Sequence, residues 1–263
     1  MSASLVTPRR ASITTLALAT AAVAACGSSG GGGGATSSTS AGPPSASTLA
    51  PIHGHYAPKI EASNFVRTVD NPYWPLKPGT GYHYRGLRQK TPQRDDEIVT
   101  HRTKRILGID ATVVKDTVSQ GGRAVERTYD FYAQDKQGNV WYMGENSLER
   151  KHGRMARASD SWLAGVNGGK PGIIMPANPQ PGDAYRQEYY PPGEALDEAR
   201  VLRTDGSMQS PYGSFQGLLV TAERSPLEPQ VEDKYYAHGV GEIAERVTSG
   251  HHEEFKLVNV THS

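Results

Sequence analysis

Asp130, Glu188 and His238 are the carboxylate and imidazole groups with which a hydrolase could work beneath the irregular stretch from 160 to 183. Such groups assemble in space rather than along the chain, so a missing motif excludes nothing. The chain nevertheless holds no G-x-S-x-G elbow, Walker loop, H-E-x-x-H helix or dinucleotide fingerprint. Catalytic residues therefore stay unassigned, and a role without catalysis is favoured. Two histidine pairs offer chelation: His53-Gly54-His55, and His251-His252 followed by Glu253-Glu254. The first stands at the end of a polar stretch and the second in an expected turn, where histidines are ordinary surface residues. Asp135, Gln137 and Asn139 match half of a calcium loop, but the position that needs glutamate is Asn146. Neither a metal nor a cofactor is expected.

Aromatic residues offer a different chemistry. They recur as neighbours, Tyr73-Trp74, Trp141-Tyr142, Tyr189-Tyr190 and Tyr235-Tyr236. Adjacent strand residues face opposite sides, so each pair would place one ring inside a curved sheet and one outside. Rings give large contact area, and tyrosine adds a polar handle. Tyr129, Trp141, Trp162, Tyr189 and Tyr235 are on this basis the candidate lining for an apolar or amphipathic small molecule, the alternative being plain core packing. Charges also lie within expected strands, Arg127 and Asp130, Arg186 and Glu188, and Glu232 to Lys234. Cross-strand ion pairs would account for them.

The single cysteine, Cys26, follows Val23-Ala24-Ala25 at the end of an alanine- and leucine-rich run that begins after Arg9-Arg10. A positive start, an apolar run of about 15 residues and small residues before the cysteine make an export signal too short to span a bilayer. The segment resembles the lipobox signals of bacterial lipoproteins. That resemblance implies cleavage after residue 25 and a diacylglyceryl-modified, palmitate-bearing Cys26 as the membrane anchor, on the extracytoplasmic side of the cell membrane. Export by the general or the twin-arginine route stays open.

Formal net charge is +1, and loss of residues 1–25, which carry two arginines and no acid, makes it −1. Nucleic acid binding needs a basic stripe, so nucleic acid is not an expected partner. With Cys26 acylated no thiol remains for a disulfide, a metal site or a nucleophile. From Gly27 to about Ala50 the composition falls to Gly, Ser, Ala, Thr and Pro, which reads as a spacer. The expected organisation is a signal peptide over 1–25, a lipidated cysteine and tether over 26–55, and one domain over 56–263.

That domain reads as strands. Ala111 to Val118 is rich in β-branched residues, Arg123 to Ala133 continues it after Gly121-Gly122, and Asp135 to Asn139 is a turn leading into Val140 to Met143. Further strands are expected over 81–86, 97–107, 184–190, 199–203, 217–223, 231–237, 241–248 and 253–260, with a short helix over 194–202 as an alternative. Successive strands on short connections give an all-β or mainly β domain, a curved antiparallel sheet forming a half-barrel or a closed barrel, with one long irregular loop. That loop, 160–183, carries Trp162 and Ile173-Ile174-Met175 and must fold back on the sheet as a lid or a plug.

Two segments carry a further resemblance: Asn71-Pro72-Tyr73-Trp74-Pro75-Leu76-Lys77-Pro78-Gly79-Thr80, and Tyr212-Gly213-Ser214-Phe215 with Lys234-Tyr235-Tyr236-Ala237-His238-Gly239-Val240-Gly241-Glu242-Ile243. They are similar to segments of uncharacterised bacterial envelope lipoproteins built on a curved antiparallel sheet. The resemblance implies fold and location, and no activity. The expected function is thus an anchored binding domain for an apolar or amphipathic ligand or an envelope partner. An extracytoplasmic hydrolase and a purely structural envelope protein are the alternatives.

Overall fold

The computed structural model describes residues 44–250 and 252–263. The signal segment, Cys26 and His251 lie outside the described residues. Sixteen strands follow in chain order: β1 (Phe65–Val66), β2 (Thr80–Arg88), β3 (Thr91–Ile106), β4 (Ile109–Gln120), β5 (Arg123–Asp135), β6 (Val140–Lys151), β7 (Arg154–Arg157), β8 (Trp162–Leu163), β9 (Lys170–Met175), β10 (Ala184–Arg186), β11 (Glu188–Tyr189), β12 (Glu198–Ser210), β13 (Gly213–Arg224), β14 (Val231–Ala237), β15 (Gly241–Ser249) and β16 (Glu253–His262). The stretch expected as strand over 184–190 is split at Gln187 into β10 and β11. The helical alternative over 194–202 is not adopted, because β12 begins at Glu198 and only Pro191–Gly193 turns helically.

Two antiparallel meanders build one sheet. β2 to β6 form the first, β12 to β16 the second, and the C-terminal β16 pairs with β2 to join them. The free sides, β9 and β11 on one and β10 on the other, come back together and nearly close a barrel. Gly172 in β9 makes this possible, since a Cβ there would lie 2.5 Å from the Arg186 carbonyl oxygen and 2.4 Å from the Gln187 carbonyl carbon. No larger residue fits the seam without moving backbone.

The segment expected as the end of the tether packs across this seam. Ala46 and Ala50 are buried. The Arg186 backbone N–H donates to the Ala50 carbonyl, and its guanidinium donates to the carbonyls of Pro51 and Ile52. Tyr56 donates its hydroxyl to the Pro171 carbonyl, and Lys170 donates to the Tyr56 carbonyl.

Asn71 to Thr80 plugs the interior. The Asn71 amide donates to the carbonyls of Gly138 and Pro176, and Gln134 accepts from the backbone N–H groups of Asp70 and Asn71. This fixes Trp74 between two walls, its ring 5.5 Å from Tyr132 on β5 and 5.9 Å from Tyr236 on β14. Within the 160–183 stretch run β8 and β9, whose Trp162 and Ile173 to Met175 are buried.

One irregularity decides what faces inward. Opposite residues on β5 and β6 are Asp130 and Glu145, Phe131 and Gly144, then Tyr132 and Tyr142, so β6 carries one extra residue. Tyr142 and Glu145 are three apart and would face opposite sides of a regular strand. The bulge at Gly144, at φ 127°, turns both into the barrel.

Candidate functional site

The lumen is polar. Along β5, Glu126, Thr128, Asp130 and Tyr132 alternate onto it, and among the described residues twelve carboxylate side chains and two basic ones, Arg224 and Lys234, line the cavity. Its volume is about 120 Å³. Carboxylates packed around a small, partly dehydrated space repel one another and favour any cation that enters.

At one wall the Tyr142 hydroxyl lies 2.6 Å from Asp130 Oδ1 and 3.0 Å from Glu145 Oε2. A hydroxyl has one proton and can donate to only one of them at a time. Tyr132 stacks on Tyr142 at 5.0 Å, and Trp162 meets it edge-on at 5.6 Å while its indole N–H donates to Glu188.

The opposite wall carries its own cation. Lys234 Nζ stands 3.3 Å from Glu223, 3.9 Å from Glu242 and 3.9 Å from Glu245. Burial alone would lower its pKa, but Glu223, Glu242, Glu245 and Glu232 together raise it and keep it charged. Glu232 is pushed up to about 8, by burial first and then by Glu245, against the opposing pull of Lys234. Glu223 also accepts from the hydroxyls of Thr221 and Tyr236. Burial, followed by Glu223, holds the Tyr236 phenol well above its usual range.

A third group sits on β3 and β4, where one carboxylate oxygen from each of Asp95, Glu97 and Asp116 falls within 4.8 Å of the others. Glu97 and Asp116 are direct cross-strand partners. Three oxygen ligands at this spacing suit a hard divalent cation such as calcium or magnesium. Gln187, 4% exposed, also lines the lumen, and among the described residues its side-chain nitrogen has no hydrogen-bond partner. A buried amide of this kind calls for a polar occupant.

The structure does not bring Tyr129, Trp141, Trp162, Tyr189 and Tyr235 into one pocket. Tyr129 lies on the outer face of the wall. Trp141 donates to Asp135 Oδ2 and packs on Phe65. Trp162 is buried beside Tyr142, whereas Tyr189 meets Tyr56 at the seam under the Lys170 ammonium and the Arg186 guanidinium. Tyr235 is buried away from the cavity. In the pairs Trp141-Tyr142 and Tyr235-Tyr236 it is the second ring that points inward, for the first pair because of the Gly144 bulge. Trp74, Tyr132 and Tyr142 line the cavity, and Tyr236 reaches it behind Trp74 through its hydroxyl bond to Glu223.

Of the hydrolase candidates, Asp130 and Glu188 line the lumen while His238 packs against Tyr73 outside it. His53, His55 and His252 are exposed, and Glu253 and Glu254 pair with Arg88 and Arg246. The half calcium loop is a turn, in which Asp135 accepts from the backbone N–H groups of Gln137 and Asn139, the Asn139 amide and the Trp141 indole. The lumen carboxylates were hidden in the sequence because they alternate with outward residues on many strands. The inward positions 126, 128, 130 and 132 show that signal once the register is known.

No family model matches the chain, and no curated protein does. Two solved structures are similar in part. One is a protein of Bacteroides fragilis described as exported and as having a YmcC-like fold, at 12% identity and a TM-score of 0.40, covering 72% of this chain and 98% of that one. The other, described as a lipoprotein, comes from Parabacteroides distasonis, at 12% identity and a TM-score of 0.37, covering 73% of this chain and 99% of that one.

Proposed function

We propose that this chain is a lipid-anchored, extracytoplasmic binding protein whose acidic barrel lumen takes a small cation, a hard divalent ion held at Asp95, Glu97 and Asp116. The observation that carries the reading is the excess of carboxylates over basic groups around the lumen, together with the convergence of one oxygen each from Asp95, Glu97 and Asp116 within 4.8 Å of one another. The order of Arg9-Arg10, apolar run and Cys26 supports the anchor. An apolar ligand fits the lumen poorly, because it would strip water from ionised groups and return no hydrogen bonds. The volume of about 120 Å³ is also below the usual range for drug-sized ligands.

Two measurements test the reading. The full chain, stripped with a chelator, is titrated calorimetrically with calcium, magnesium and manganese, beside Asp95→Asn and Asp116→Asn. Saturable binding that weakens at least about tenfold in both variants is expected, whereas no binding, or binding equal in all three proteins, overturns the cation site. For the anchor, growth of a producing bacterium on an alkyne-tagged palmitate should label the native chain and leave Cys26→Ser unlabelled.

A further inference from the structure

We propose that a groove on the outer face of the wall, separate from the lumen, binds an anionic amphiphile, a molecule with a phosphate or carboxylate head and a short apolar chain. The groove has a volume of about 520 Å³, within the range of small-molecule sites. Its lining combines Arg102, Lys104 and Arg157 with Tyr129, Phe131 and Leu163. The sheet makes it by an interruption, since β3 and β4 pair up to Val99 and again from Thr103 but not between. Thr100 stabilises that break, its hydroxyl donating to the Val113 carbonyl at 2.7 Å and accepting from the Arg102 backbone N–H at 3.2 Å.

The charges there are positive and uncommitted. Among the described residues no carboxylate pairs with Arg102, Lys104 or Arg157, while the neighbouring Arg105 is held by Asp110 at 3.0 Å. Lys104 Nζ stands 5.5 Å from the centre of the Phe131 ring, over the apolar floor. Glu145 borders the groove, but its carboxylate meets the Tyr142 hydroxyl of the lumen. The apolar surface continues beyond the floor. Leu107 is 46% exposed and lies where a Cβ on Gly165 would touch it, and the next residue, Val166, is 48% exposed.

Guanidinium and ammonium groups suit phosphate and carboxylate, and exposed apolar side chains next to them gain by covering an alkyl chain. A bare anion would find only solvent-screened charges, and a neutral alkyl chain only a shallow floor. The amphiphile satisfies both. A free single-chain molecule and a membrane lipid share this chemistry, so the test separates them.

The full chain with Cys26→Ser, which removes competition from an acyl anchor, is titrated with octyl phosphate below its micelle concentration, with inorganic phosphate and with octanol. Octyl phosphate should bind at least about tenfold tighter than either control, and the Lys104→Gln, Arg157→Gln double variant should lose that preference while its thermal midpoint stays unchanged. Equal binding of inorganic phosphate, equal binding of octanol, or an unaffected variant overturns the proposal. Sedimentation with phosphatidylglycerol and phosphatidylcholine vesicles then identifies the source. Octyl phosphate binding without charge-dependent sedimentation supports a free amphiphile, both together support a membrane lipid head group, and neither overturns the site.

Discussion

The indole N–H of Trp162 donates to Oε2 of Glu188 across 2.8 Å, tying the stretch after β7 to an edge strand of the seam. Both residues are buried, Glu188 at 1% exposure. Trp162→Phe keeps a ring against Tyr142 but removes the donor from a buried carboxylate. We expect a loss of about 1–3 kcal/mol, read from denaturant unfolding. A loss near zero would mean that the segment is held by packing alone.

Lys234 neutralises a crowded corner of the barrel. Lys234→Met leaves Glu223, Glu232, Glu242 and Glu245 without their shared cation. The cost should be about 3–5 kcal/mol near neutral pH. It should shrink on acidification, as protons replace the lost charge. Unfolding curves at the two conditions check both the size and the direction.

Glu232 gives the protein a stability that falls with rising pH. Its folded pKa is pushed up to about 8, against 4.5 ordinarily. Between those values the folded state holds a proton that the unfolded chain releases, so this contribution is complete below the lower value and is lost as pH rises through the upper one. Glu232→Gln should flatten that part of the stability profile, measured from about pH 5 to about pH 8. An unchanged slope would place the proton on another residue.

Gly172→Ala should open the seam. The added methyl meets the backbone of Arg186 and Gln187 at 2.4–2.5 Å, which neither side can relieve by a rotamer change. A destabilisation of about 1–3 kcal/mol is expected. Faster hydrogen exchange should appear in β9 and β10, with β3 and β4 unaffected.

Strand positions were largely legible because the signals are local. Val231 to Ala237 is strand where β-branched and aromatic residues predict it, and the hairpin from Arg123 through the Asp135 turn is present. Closure was not legible. Glu253–His262 pairs with Thr80–Arg88 from the far end of the domain, and nothing in either stretch names the other. The position of Trp141, one of the aromatic candidates, was hidden for a related reason. Alternation assigns inside and outside only while the register holds, and the extra residue at Gly144 exchanges the faces of Trp141 and Tyr142. The acidic lumen stayed out of reach because Glu97, Asp130, Glu188 and Glu242 come from four separate strands.

The strap formed by residues 46 to 56 gives the barrel a definite response to mechanical load. A pull along the chain from its amino-terminal side reaches Ser47 first, whose hydroxyl donates to Asp183 and accepts from the Ala184 backbone N–H, and then Ala50, Pro51 and Ile52, where the bonds to Arg186 also pass it to β10. Through Tyr56 the same segment holds Pro171 and Lys170 in β9, on the other lip of the seam. The two edges are loaded in turn, β10 before β9, so a pull from that side would have to break the contacts to both lips of the seam before it reached β1.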